Sequence, residues 1–476
     1  MFVVMAKSTS NANDSSQLNY YTFIKPLYYM SKASGQWPQT LKRSSPGFTV
    51  TSVLYLVVVY ISIVYCIYVN SSVSLWSQYL QQMESPILQY GLQLHIINGL
   101  IMALVMSIAN IIQRKKKWTI LEVLEDINQI LVHEFHVDIQ YRIGQIRFFV
   151  IFLIENIFLL IVILGYYYLL AFKLQTQTQL LYISYYIVNM TSLIFVTEYV
   201  FFVFTIKARV AFVNRLLKQL LFEDYVHNLG DHNVKTPTIA YEEIFTISGK
   251  SRETKLVQEA PKPKTNTSRT LTDNLRILFD PLNDNKIAFK QLKVGRHSLS
   301  SEIITFIENM SSLHYSACES IVHINRTYSF QLMLHFAAMF LFLVFGLFAM
   351  YKAFNVTSIR FQLMAAANGF WIIYYMVTIV VIIYATSSTI DMMHSSGDVV
   401  HQIIRSKQKT FNDAIIEKLS TFGLQIKMRD VAFSCGLFHF DWPLFASILA
   451  AIAMYLVFLI QFDVSPTQAA TNSTVK

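Results

Sequence analysis

Residues 442–463 read WPLFASILAAIAMYLVFLIQFD. The stretch holds no Lys or Arg, and its one acid, Asp463, comes last. A helix rises about 1.5 Å per residue and the hydrocarbon core of a bilayer is about 30 Å thick, so roughly 20 apolar residues in a row cross it. Six further stretches meet the same condition: 48–69, 87–112, 148–172, 179–206, 330–350 and 361–387. None of them contains a Lys or Arg, which a lipid core would tolerate only at a large cost. The expected fold is an all-α membrane protein with seven transmembrane helices. Of 476 residues, 54% are hydrophobic and only 14% charged, against about 25% charged in ordinary soluble domains. That balance excludes a disordered chain, a secreted disulfide scaffold and most soluble enzymes.

The 38 Lys and Arg residues all lie in the connections. Counting alternate connections, 34 fall on one side and 4 on the other. The four are Lys173, Lys352, Arg360 and Lys476. The positive-inside rule places the richer side in the cytoplasm, so the N-terminus is expected inside and the C-terminus outside. The net charge of +9 is then a matter of loops facing anionic lipid, and no nucleic-acid partner is expected. The opening MFVVMAKSTS is too short an apolar run for a signal peptide. Cys66, Cys318 and Cys435 fall in span 1 and in cytoplasmic segments, with no CxxC pair, so neither a disulfide framework nor a Cys-based metal site is expected. No cofactor is implied, and no catalytic constellation, phosphate loop or HExxH pattern occurs. Outside sequons at Asn70, Asn355 and Asn472 are a weak signal.

The expected organisation follows from these boundaries. Residues 1–47 form a cytoplasmic N-terminal segment and 48–206 carry transmembrane helices 1–4. Residues 207–329 form a cytoplasmic loop with a disordered insert near 223–298, where Lys, Thr and Pro dominate. A helical extension, 299–329, follows with apolar positions Ile303, Ile304, Ile307, Met310, Leu313, Ala317, Ile321 and Ile324. Neither Pro nor Gly separates it from span 5, so one long helix is expected to rise into the membrane. Residues 330–387 carry helices 5 and 6, 388–441 cytoplasmic anchor helices, 442–463 helix 7, and 464–476 an extracellular tail. The apolar stripes in the extensions need partners, either within one subunit or where subunits meet. No internal repeat is visible, which argues against an inverted-repeat transporter.

Seven spans also invite a G-protein-coupled receptor reading. The orientation is inverted for that class, span 7 lacks NPxxY, and no DRY triplet ends span 3. The last span instead ends Met454-Tyr455-Leu456-Val457-Phe458-Leu459-Ile460-Gln461-Phe462-Asp463. This resembles the terminal signature of insect gustatory receptors, Thr-Tyr, five hydrophobic residues, then Gln-Phe, with Met454 in place of the Thr. The seven-span inverted topology is similar to that family over the whole chain. The segment His314-Tyr315-Ser316-Ala317-Cys318 through Ile324-Asn325 is similar to its helix before span 5.

The resemblance implies a ligand-gated, nonselective cation channel, not an enzyme, in which four subunits set span 7 around a central pore. A homotetramer is expected, with a hetero-oligomer with other gustatory receptors as the alternative. Gln461 is costly in lipid and at ease in a wet lumen, and Phe458 lies one turn earlier. Either Phe458 or Phe462 forms the constriction, unless both pack between helices; four Asp463 carboxylates at the outer mouth would attract cations.

Two acids lie within the spans, Glu155 and Glu198, both expected in inner halves as an internal hydrogen-bonded or protonated pair. The outer halves offer Tyr90, Gln93, His95 and Asn98 in span 2. Span 4 offers Tyr182, Tyr185, Tyr186 and Asn189, and span 6 offers Asn368, Trp371 and Tyr375. Rings that stack on a sugar's C–H faces, beside amides for its hydroxyls, compose a pocket for a small polar molecule. For the span 4 tyrosines an interfacial aromatic belt is the competing reading, and for His95 a helix-packing role. Over the chain, the resemblance is to the sugar-responsive, fructose-type branch, which implies a small-molecule tastant, permeating cations and the plasma-membrane bilayer as partners.

Overall fold

The computed structural model describes residues 20–37, 50–71, 86–135, 157, 160, 161, 164, 177–227, 296–354, 359–429 and 431–473. Among these the chain is helical nearly throughout. The helices are α1 (Tyr20–Ala33), α2 (Val50–Ser71), α3 (Pro86–Ile112), α4 (Arg114–Phe135) and α5 (Gln177–His227). Then come α6 (Arg296–Phe354), α7 (Ile359–Lys407), α8 (Asp413–Met428) and α9 (Trp442–Ser473). Six of them, α2, α3, α5, α6, α7 and α9, are long and apolar enough to cross a membrane. The expected third span, 148–172, lies outside the described residues except for Ile157, Leu160, Ile161 and Leu164, which are helical and exposed. Most of the insert near 223–298 also lies outside them; at its edges, 223–227 belong to α5 and 296–298 to α6.

The long apolar stretches do not stop at bilayer length. With 59 residues, α6 is about 88 Å long, nearly three hydrocarbon thicknesses. The extension 299–329 and span 5 are one element because nothing in the sequence breaks the helix between them. Along the extension, Ile307, Met310, Leu313, Ala317, Ile321 and Ile324 are buried, while Ile303 and Ile304 are half-buried. They share a core with Ile415, Leu419, Phe422 and Ile426 of α8, so both apolar stripes find partners inside one chain. Asn412 caps α8, its Oδ1 accepting from the Ile415 amide at 3.0 Å.

The expected anchor helices of 388–441 end at Met428. A short non-helical turn follows, with an antiparallel bridge between Ser434 and His439 and Gly436 at φ +86°. Asn325 of α6 holds it: its Nδ2 donates to the Ala432 carbonyl at 2.7 Å, and its Oδ1 accepts from the Ser434 amide at 3.3 Å. The Thr386 hydroxyl of α7 donates to the Phe440 carbonyl at 2.7 Å. Asp441 then caps the first turn of α9 through the Leu444 amide at 3.0 Å. The helix continues to Ser473, beyond the expected boundary at 463.

Glu155 lies outside the described residues; the Glu198 carboxylate pairs with Lys117 of α4. It also accepts from the Tyr328 hydroxyl of α6 and, at 3.0 Å, from the Ser31 hydroxyl of α1. The Lys117 ammonium sits 5.4 Å from the Trp37 ring centroid and 5.3 Å from that of Tyr328. Burial lowers the Lys117 pKa from the usual lysine value, and the adjoining carboxylate acts in the opposite direction. A fully buried charge needs an opposite charge. Lys117 closes the basic run 114–117, part of the cytoplasmic connection whose charge is expected to face anionic lipid, and turns inward for that reason.

Candidate ligand site and last helix

Two close approaches set the geometry around α3. A Cβ at Gly99 would stand 2.8 Å from a methyl of Val188 on α5, and one at Gly91 would stand 2.3 Å from the Phe345 ring on α6. Only the bare backbone lets α3 come this near. The polar side chains it carries are thereby pressed into the bundle. His95 is buried against the Phe342 ring of α6, centroids 4.5 Å apart. Phe342 in turn lies 4.6 Å from Tyr375 of α7. The Tyr375 hydroxyl donates to Asn189 Oδ1 of α5 at 2.8 Å, and the Trp371 ring lies 6.4 Å from that of Tyr375. Asn368 is also buried, one turn from Trp371.

Residues from three expected groups therefore meet in one aromatic and amide cluster: His95, Asn189, Trp371 and Tyr375. Gln93 and Asn98 are half-buried beside them on α3, and Tyr90 is exposed. The side chains of Tyr182, Tyr185 and Tyr186 lie outside the described residues. Phe342 joins His95 to Tyr375 and was not singled out from the sequence. Nothing distinguishes it there from the other phenylalanines of span 5; only the crossing of three helices does.

The last helix is built differently. Within the single chain Ile452 is its one buried hydrophobic residue among those described. Its contacts run along α6: the Tyr455 ring lies 5.7 Å from that of Phe340, and Asp463 pairs with Lys352. These two contacts make α9 parallel to α6. Leu456, Leu459 and Ile460 pack against a small core of Ile63, Ile96, Val188 and Phe348. At about 100° per residue, Ile452, Leu456, Leu459, Ile460 and Asp463 share one face. Met454, Val457, Phe458 and Gln461 share the opposite face and are all exposed, as is Phe462. Gln461 stands about 60° from Phe458 and about 100° from Phe462 on this wheel. Asp463, expected to point into a pore mouth, lies about 160° from Gln461. Its side chain is only 7% exposed, against 30% for Lys352.

A family model described as 7tm chemosensory receptor matches residues 24–230 and 267–465 of the chain. Among individual relatives, a Drosophila melanogaster protein provisionally named gustatory receptor 28b is 26% identical over 162 residues, 33% of this chain and 34% of that protein. Another, provisionally named gustatory receptor 28a, is 30% identical over 175 residues, 35% of this chain and 38% of that protein. The chain thus matches little more than a third of the length of these curated relatives. Among solved structures, the insect olfactory receptor OR5 from Machilis hrabei superposes with a TM-score of 0.60 at 12% identity, covering 93% of this chain and 98% of that one. The same receptor in complex with eugenol gives 0.54 at 12% identity, covering 92% and 98%. At this identity the superposition establishes the fold.

Proposed function

The chain belongs to the 7tm chemosensory receptor family, and from that premise we propose that it is a gustatory receptor acting as a ligand-gated, nonselective cation channel. It is a multi-pass membrane protein. The reading adds a cytoplasmic N-terminus, an extracellular C-terminus, and assembly as a homotetramer with α9 around the pore. The observation that carries it is the two-faced last helix. One face packs on its own protomer, while the other bears Gln461 among apolar residues and is exposed. An amide on a lipid-facing surface is costly, and in a lumen it is hydrated. Of the two candidate constrictions, the wheel favours Phe458, the nearer to Gln461. Four such rings close a pore by dewetting.

The ligand site is the cluster of His95, Asn189, Asn368, Trp371 and Tyr375, with Gln93 and Asn98 at its margin; Tyr185, whose side chain lies outside the described residues, is kept as a proposed member. The proposed ligand is an extracellular sugar, fructose, whose hydroxyls suit the amides and whose C–H faces suit the rings. A specific observation favours a second ligand class. The cluster is closed and richly aromatic, with Phe342 at its centre, and the structural neighbour has been solved with eugenol, an aromatic molecule. A bitter-type aromatic tastant is therefore the alternative.

Excised patches from cells expressing this chain alone test both levels. Fructose is expected to evoke cation current without G protein or energy source, and Trp371→Ala to abolish it with surface expression intact. Current evoked by eugenol and not by fructose would move the ligand to the aromatic class. Absence of current with sugars and aromatic compounds alike would sink the channel reading.

A further inference from the structure

Lys352 lies near the end of α6, two residues before its last. Ten residues earlier, about 15 Å along the axis, the same helix carries Phe342 into the ligand cluster. The Lys352 ammonium pairs with Asp463 at the tip of the membrane-crossing part of α9. The carboxylate stands on the face turned toward its own protomer, in line with Ile452, Leu456 and Leu459 and away from Gln461.

Resting on the channel reading above, we propose that Lys352 is a positioning residue for the pore. By holding Asp463 on the back of α9, about 160° from Gln461, it keeps the helix rotated with Gln461 toward the lumen. It also draws the helix tip back onto its own protomer, away from the axis. A force applied from the protomer's body on the back of a pore helix widens the pore, so the pair favours the open channel. The same geometry withdraws Asp463 from permeation: a carboxylate paired with an ammonium and turned from the lumen presents little net field to passing ions. The pair sits at the end of the rigid element that carries Phe342. A shift of α6 on ligand binding therefore reaches the pore helix through this contact.

The test is single-channel recording of Lys352→Gln, Asp463→Asn, Lys352→Arg and the swap Lys352→Asp/Asp463→Lys, with agonist at saturation and across a concentration series. Lys352→Gln and Asp463→Asn are each expected to lower open probability about tenfold, the equivalent of about 1.4 kcal/mol, with unitary conductance unchanged. Lys352→Arg is expected to behave as the native chain, and the swap to restore most of the loss. A drop in unitary conductance on Asp463→Asn overturns the proposal, because the carboxylate then acts on ions directly. A rise in open probability, or no change, also overturns it. If the native chain passes no current, the channel reading fails on its own. Melting of detergent-purified variants then decides the pair. Each single charge reversal should lower the midpoint and the swap restore it, and additive losses would show that the two groups do not interact.

Discussion

Lys117 and Glu198, 81 residues apart in the chain, form an ion pair whose side chains are 1% and 0% exposed. Tyr328 and Ser31 add hydrogen bonds to the same carboxylate, so four elements, α1, α4, α5 and α6, converge on one negative charge. Removing one partner of such a pair leaves the other buried without compensation, a cost of roughly 3–5 kcal/mol. Lys117→Met is expected to reduce the yield of folded protein and to lower its melting midpoint in detergent. Lys117→Met/Glu198→Gln should cost less than the sum of the two single changes, because the second removes the orphaned charge. Additive losses measured by fluorescence-detected size exclusion would count against the pair as the organising contact.

This node also marks where the sequence stops being legible. The absence of cations from apolar stretches announces the spans, since it reflects the price of charge in lipid and needs no tertiary information. The missing Pro or Gly before Phe330 announces a continuous α6 for an equally local reason. Lys117 carries no such mark. In sequence it is the fourth of four basic residues at the edge of a span, where positive charge is expected to face anionic lipid. Its inward turn depends on Glu198 arriving from another helix. Phe342 is hidden likewise, one ring among many until α3 and α7 cross it. The lateral group Asn189, Trp371 and Tyr375 was legible because amides and rings recur at helical spacing on segments that lipid alone would not have chosen.

The hydrogen bond from Tyr375 to Asn189 gives the proposed ligand cluster its internal order. Tyr375→Phe keeps the ring and its contact with Phe342 while deleting the donor, a change of about 0.5–1.5 kcal/mol for a neutral pair. The expected outcome is normal surface expression with agonist potency altered three- to tenfold, roughly what that energy spans. Tyr375→Phe combined with Asn189→Ala should shift potency by less than the product of the single shifts. Independent, multiplicative shifts in the dose–response curves would show that the bond plays no part in binding.

Close helix approach at Gly99 makes a sterically testable demand. A methyl there would meet Val188 at 2.8 Å, inside van der Waals contact, and Val188 is itself buried. Overpacking of a well-filled core typically costs about 1–3 kcal/mol. Gly99→Ala should therefore lower surface expression and displace His95, one turn away, with a loss of agonist response. Gly99→Ala/Val188→Ala vacates the clashing volume and should recover expression. If the second substitution gives no recovery in surface labelling, the two helices do not approach through this pair.

On the proposed channel reading, the exposed face of α9 separates gate from filter. Phe458 and Gln461 lie about 60° apart on one side of the helix, and only Gln461 offers a dipole to a permeating ion. Phe458→Ala removes the ring that dewets the lumen, so current without agonist is expected to rise while ion selectivity stays near native. Gln461→Ala removes the polar lining instead. Its open state should be less hydrated, with lower unitary conductance and altered relative permeability to sodium, potassium and calcium. Phe462 stands about 100° from Gln461, so Phe462→Ala should change neither quantity as strongly. Recordings in bi-ionic solutions distinguish the three. If Phe462→Ala, and not Phe458→Ala, raised the agonist-free current, the constriction would belong to Phe462 and α9 would have to turn by about 40° from the orientation described, the angle between the two phenylalanines on the wheel.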